Sequence, residues 1–235
     1  MHTLLIDADD TLWENNIFYE TCVADFVALM VEQGFGAREA ERTMDAVEKE
    51  RIPVVGYAPE EFARSLVVTY KRLCQRHRQR VRGKVVQEVL EIGRSVMEYP
   101  IQPLDGVEET LRRLSGRFQL HLLTKGDPAV QEDKLARSGL GGFFDYVHVV
   151  PEKDVDLFRD VVAQYDLHPE QTWMVGNSPR SDINPAVEAG IRAVYVPHPN
   201  TWQLEVEQVV DSERVTVLER FGDLVAFFSS RESED

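Results

Sequence analysis

The stretch LLIDADDTLW, Leu4–Trp13, passes from an unbroken apolar run into three carboxylates, Asp7, Asp9 and Asp10, within four residues. A short apolar run that ends in acids reads as a buried parallel strand whose C-terminal end opens on a site. Carboxylates this close oppose one another's ionisation, so the strand end needs a source of positive charge.

Working outward, residues 15–98 change to helical periodicity. Phe18, Cys22, Phe26 and Met30 recur every fourth residue, and Gly34 and Gly36 interrupt the pattern. Phe62, Leu66, Tyr70 and Leu73 make a second stripe, and Val85, Val86, Val89, Ile92 and Val96 a third. After Pro100 and Pro103 strands and helices alternate. FQLHLLT, YVHVV, TWMVG and IRAVYV read as strands; VEETLRRLSG, PAVQEDKLARSG, DLFRDVVAQY and PAVEAG read as helices between and around them. Such alternation predicts a parallel sheet covered on both faces. The first strand joins that sheet most simply if the helical stretch is an insertion. The expected fold is α/β, a Rossmann-like doubly wound parallel sheet core of residues 1–14 and 99–235 with an inserted all-helical cap of residues 15–98. The polar end SSRESED is expected to fray.

Composition narrows the function. A formal charge of −15 on 235 residues opposes binding to phosphate polymers or anionic membranes. No nucleic-acid or membrane partner is therefore expected. No apolar run approaches the ~20 residues that span a bilayer. With two cysteines and no export signal, the reading is a cytoplasmic protein. Lys71–Lys84 runs against the global charge, with seven of the 26 Lys and Arg in fourteen residues. A solvated helix end and turn accounts for it; an anion-attracting lip or partner contact is the alternative. VVGYAPEEF, Val54–Phe62, is either a connector or a loop facing the strand ends.

Parallel sheets bind ligands at the C-terminal ends of their strands. Collected there are Asp7, Asp9 and Asp10, then Thr124 and Lys125, then Lys153, then Asn177 and Asp182. Carboxylates with a hydroxyl and lysines suit a hard divalent cation such as Mg²⁺ together with a phosphate. Among the lysines, Lys153 lies after a predicted strand; Lys134 competes for its task, and Lys125 follows Thr124 where it suits a cap or substrate contact. The histidines show no paired spacing, and His198 is a candidate only for substrate contact.

In this order the motifs resemble those of the haloacid dehalogenase superfamily. DADDT is similar to its first motif (DxDxT), LLTKG to the second, Lys153 in EKDVDLF to the third and GNSPRSD to the fourth (GDxxxxD). The resemblance implies a Mg²⁺-dependent phosphomonoester hydrolase of a small phosphorylated metabolite. Asp7 would be the nucleophile that forms an aspartyl-phosphate and Asp9 the general acid and base, with the two side chains projecting to one side of an extended strand end. Thr124 and Lys153 would hold the phosphoryl oxygens, with Lys125 a further substrate contact. Asp7, the Asp9 carbonyl and Asp182 would hold the metal. Two departures stand out: Asn177 replaces the usual acid of the fourth motif, and Asp10 the commoner glycine of the first. Asn177 is expected to give at most a neutral or water-mediated contact, and Asn177→Asp to strengthen the metal site or change little. Thr11 fixes the turn or assists catalysis. The rival readings are a phosphomutase, a dehalogenase, or a degenerate phosphate- or partner-binding module.

Overall fold

A strand that is apolar at every position is stable only with both faces covered. In the computed structural model, which describes residues 2–231, β1 (Thr3–Ile6) is buried at all four positions. It lies between β2 (Gln119–Lys125) and β4 (Thr172–Gly176), parallel to both. With β3 (Tyr146–Val150), β5 (Arg192–Tyr195) and β6 (Val215–Val217) the sheet runs β3-β2-β1-β4-β5-β6, and every pairing is parallel. This is the doubly wound order. The chain builds outward from β1 to β3, then crosses back to start again at β4, and a crevice opens where the direction reverses.

Side-chain alternation divides the core in two. Leu4, Ile6, Leu120, Leu122, Trp173 and Val175 face one side, where α5 (Val107–Leu114) and α9 (Leu224–Arg231) bring Val107, Leu111, Leu224 and Phe228. Leu5, Leu123 and Met174 face the other, under Phe158 and Val161 of α7 (Val155–Gln164) and Ala186 of α8 (Asn184–Glu188). Each such fully buried side chain contributes ~1.5–3 kcal/mol. Helix starts are set chemically: Asp127 caps α6 (Pro128–Ser138) through the amide of Val130, and Asp154 caps α7 through that of Leu157.

The chain forms two compact units, Met1–Asn16 with Ile101–Asp235, and Ile17–Pro100. The second is helical: α1 (Asn16–Glu32) leads into it, followed by α2 (Ala37–Val55), α3 (Pro59–Arg76) and α4 (Gly83–Arg94). The three apolar stripes fall on α1, α3 and α4, with Val96 in the turn that follows α4. The fourth helix, α2, buries only Ala40, Thr43, Met44 and Val47, too weak a stripe to stand out in the sequence. VVGYAPEEF is the end of α2, a connector and the start of α3. A Cβ on Gly93 would lie 2.5 Å from the Ala63 Cα, so only glycine permits the close approach of α4 to α3. The basic run is partly neutralised within the unit, Arg72 by Glu50 and Arg76 by Glu39, and His77 Nε2 lies 2.9 Å from Glu39.

The structure adds to the sequence reading in three places. Strand β6 and helix α9 extend the sheet unit beyond IRAVYV, and Ser229–Arg231 of the expected frayed end belong to α9. Residues 232–235 lie outside the described residues. Among the described residues no helix is long and apolar enough to cross a membrane. Finally, His121 on β2 and His148 on β3 meet ring nitrogen to ring nitrogen at 3.0 Å, between Tyr146 and Tyr165.

Burial, with His148 adding to it, lowers the pKa of His121 to about 4, and burial also lowers that of His148. A histidine depressed in the folded state stabilises it above the unfolded pKa, ~6.5, and loses that contribution as pH falls through the folded value. Melting temperature should therefore drop between pH 6.5 and 4 more steeply in the parent than in His121→Phe. Parallel melting curves for the two proteins over that range would contradict the neutral pair.

Candidate active site

The crevice between β1 and β4 receives the residues that follow each strand. Asp7 leaves β1 with its amide bonded to the Val175 carbonyl of β4, which fixes its backbone against the neighbouring strand. After Gly176 the chain makes a tight π turn, Pro179–Ile183. Ser178 opens that turn by accepting from the Ser181 amide, and the Asp182 carboxylate reaches back to accept from the Ser178 amide at 3.0 Å. Asp182 thus folds over the end of β4 and is fully buried.

Lys153, which follows β3, brings the two acids together. Its Nζ donates to Asp7 Oδ1 at 2.5 Å and to Asp182 Oδ1 at 2.7 Å, and all three side chains are buried. Burial works against the lysine's charge, yet Asp182 and Asp7 outweigh it and hold the ammonium well above the ordinary lysine range. Burial, with the Asp7 charge adding and Lys153 opposing, raises the Asp182 carboxyl. Thr11 donates to Asp7 Oδ2 at 2.9 Å and lies 3.2 Å from Asn177 Oδ1, so it orients the Asp7 carboxylate as well as fixing the turn.

Asp9 takes a different direction. The extended strand has ended at Ile6, and the chain turns through Ala8, whose carbonyl accepts from Thr11 and Leu12. Alternation no longer decides where side chains point. Lys134 on α6 donates to both Asp9 oxygens at 2.9 Å, joined by the Trp13 indole at 2.8 Å and Gln131 at 3.0 Å. Burial raises the Asp9 pKa, but Lys134 and these hydrogen bonds prevail and lower it. The two competing lysines thus divide the acids, Lys153 to Asp7 and Lys134 to Asp9. Gln131 also donates to Thr124 Oγ1 at 3.0 Å, tying the β2 hydroxyl to Asp9. Lys125 is bound by carboxylates, Glu205 at 2.6 Å and Glu152 at 3.2 Å.

Asp10, at φ 60°, accepts from the amides of Asn15 and Asn16 and so ends the turn where α1 begins. Burial, against those amides, raises its pKa to about 7. His198 stands 3.9 Å from Asp10 and 3.5 Å from Glu14. These three can approach one ion. However, Asp10 is engaged by backbone amides, and His198 Nδ1 accepts from Asn200. Asp7 and Asp182 are the other candidates to hold a hard cation, two buried carboxylates that converge on the Lys153 ammonium. Sequence spacing missed Gln131, Glu205 and the grouping around His198, which only the tertiary fold assembles.

Crevice, acids and lysine at the reversal of strand order define a hydrolase site on a doubly wound sheet. Residues 1–190 match the model of the haloacid dehalogenase-like hydrolases, and the chain belongs to that family. It is 29% identical over 222 residues to a phosphoserine phosphatase of Thermus thermophilus, covering 83% of this chain and 88% of that protein. A glyceraldehyde 3-phosphate phosphatase of Methanocaldococcus jannaschii is 24% identical, with 82% and 83% covered. Among solved structures, a haloacid dehalogenase-like family hydrolase from Xanthomonas campestris superposes with a TM-score of 0.83 at 27% identity, covering 100% of this chain and 93% of that one.

Gly176 carries a direct test of this packing. A Cβ there would lie 2.2 Å from Asp182 Oδ2 and 2.5 Å from its Cγ, so Gly176→Ala must push Asp182 away from Lys153. Overpacking of this kind costs ~1–3 kcal/mol, a fall of roughly 2–12 °C in melting temperature for a chain of this size. A melt within about 1 °C of the parent would contradict the packing described.

Proposed function

We propose that the chain is a phosphatase of small phosphorylated metabolites that uses Asp7 as nucleophile, Asp9 as general acid and base, and Mg²⁺ as cofactor. The observation that carries this reading is the convergence of Asp7 and Asp182 on Lys153 at the β1/β4 crevice, with Asp9 and Thr124 linked beside them by Gln131. Phosphatase activity in the relatives supports the class; their substrates, phosphoserine and glyceraldehyde 3-phosphate, are the first to assay here.

In the first half-reaction an Asp7 oxygen bonds to phosphorus as the ester oxygen leaves, taking a proton from Asp9. In the second, Asp9 removes a proton from the water that attacks phosphorus, and Asp7 departs as carboxylate with phosphate. Lys134, Gln131 and Trp13 hold Asp9 ionised, the form the second step needs; protonation for the first requires loosening from Lys134. Lys153 balances charge on Asp7 and on the phosphoryl oxygens, and Thr124 offers them a hydroxyl. Asp7, Asp182 and the Asp9 carbonyl would hold Mg²⁺, which when bound screens the repulsion between carboxylate and phosphate. With Lys125 engaged by Glu205 and Glu152, we assign it to support of the site rather than to substrate. A dehalogenase has no task for the carboxylate that three side chains hold at Asp9. The helical unit, residues 17–100, is the proposed cap.

Phosphorylated metabolites assayed with and without Mg²⁺, on the parent and Asp7→Asn, test the proposal. Hydrolysis should require Mg²⁺ and fall at least ~10³-fold in Asp7→Asn, about 4 kcal/mol of barrier, with the melting temperature maintained. Retention of a tenth of parental turnover would exclude Asp7 as nucleophile.

A further inference from the structure

The chain from Pro197 to Glu205 lies beyond the residues matched by the family model, yet Thr201, Leu204 and Glu205 all bond to the loop that carries Asp182. Glu205 is the main anchor. Its Oε1 accepts from Lys125 at 2.6 Å, and its Oε2 accepts from Ser178 Oγ at 2.6 Å and Ser181 Oγ at 2.5 Å. The Glu205 carbonyl accepts from the Arg180 amide, and the Leu204 carbonyl from the Arg180 guanidinium at 3.0 Å. Ser178 and Ser181 are the residues whose mutual bond opens the π turn, and the Ser178 amide is the one that holds Asp182. One carboxylate therefore grips both serines of the Asp182 turn, and through Lys125 it connects that turn to the end of β2.

The second anchor is Thr201. Its hydroxyl donates to the His198 carbonyl at 2.9 Å, so its oxygen is left to accept, and it accepts from Asn177 Nδ2 at 3.1 Å. The other end of the same amide, Oδ1, faces Thr11, which is bonded to Asp7. A carboxylate at position 177 would bring lone pairs against Thr201 and force its hydroxyl to give up His198. It would also add a negative charge beside Asp7 and Asp182, with Lys153 already shared between them. An amide meets both demands, since its Nδ2 donates to Thr201 and it adds no charge beside Asp7 and Asp182. Asn200 adds a third tie, its carbonyl accepting from the Asn16 side chain at 2.8 Å, and Pro197 and Pro199 limit the freedom of the segment's entry.

We propose that Pro197–Glu205 is a clamp that fixes the Asn177–Asp182 loop, with Glu205 and Thr201 as positioning residues, and that position 177 is an amide because Thr201 requires a donor there. The clamp rests on the phosphatase reading only for its effect on Mg²⁺; its grip on the loop stands apart from any activity. It also reverses the expectation for Asn177→Asp, which should loosen the loop rather than improve the site.

Hydrogen exchange of the metal-free protein reads the clamp directly. In Thr201→Val and in Glu205→Gln, amides of Ser178 and of residues 180–183 should exchange at least ~10-fold faster than in the parent, while those of β1 and β4 keep their rates. Thr201→Ser retains the oxygen and should restore parental exchange. Asn177→Asp should speed exchange of the same amides in the parent background and add little in Thr201→Val, because the donor requirement is gone. Mg²⁺ affinity measured by calorimetry should fall several-fold in Glu205→Gln, as loss of groups that orient ligands commonly causes, with the substrate KM within about twofold. Unchanged exchange at Ser178 and residues 180–183 in Thr201→Val and Glu205→Gln would overturn the clamp, as would equal damage from Thr201→Ser and Thr201→Val. If the exchange pattern holds and the parent hydrolyses no phosphoester, the clamp stands and the phosphatase reading fails.

Discussion

Two carboxylates without solvent cannot both stay ionised without a cation, and in this protein the cation is Lys153. Its ammonium lies between Asp7 and Asp182 at 2.5 and 2.7 Å, and these acids come from different strands on either side of the sheet's reversal point. Removing the shared cation of such a buried set commonly costs ~3–5 kcal/mol, because the two acids left behind lose compensation. The arrangement depends on β1 being a central strand, since only there do residues following β1 and β4 emerge side by side.

The remaining polar groups form shells around that triad. Thr11 and the Ser178 amide take the carboxylate oxygens that Lys153 leaves open. Lys134, Gln131 and Trp13 separately hold Asp9, and Glu205 with Thr201 grips the loop from outside. Five acids near the crevice are thereby matched to a lysine or to backbone amides: Asp7 and Asp182 to Lys153, Asp9 to Lys134, Asp10 to Asn15 and Asn16, Glu205 to Lys125. Such pairing lets an acidic chain of charge −15 keep these carboxylates at one sheet edge.

Strands β1 to β5 were legible because they are apolar runs closed by acids, glycines or helix caps, each a local signal, whereas the short, half-exposed β6 gave no such signal. The helical insertion showed in three apolar stripes; α2 escaped because only four of its residues turn inward. Spacing in the motifs located Asp7, Thr124, Lys153, Asn177 and Asp182 at strand ends. Spacing failed to show the partner of Asp9, Lys134 on α6, because a turn replaces the strand there. It also failed at His121 and His148, 27 residues apart yet on adjacent strands, and at Glu205, whose partners are Lys125, Ser178 and Ser181. Contacts of this kind depend on strand order and loop path, which no local periodicity encodes.

The central claim is that one buried ammonium holds Asp7 and Asp182, and melting Lys153→Met with and without Mg²⁺ tests it most directly. The account predicts a melting temperature in metal-free buffer lower by roughly 6 °C or more, and a larger upward shift on adding Mg²⁺ than the parent shows, because the ion then supplies the only positive charge between the two acids. A variant that melts with the parent in metal-free buffer, or that gains no more from Mg²⁺ than the parent does, would contradict it.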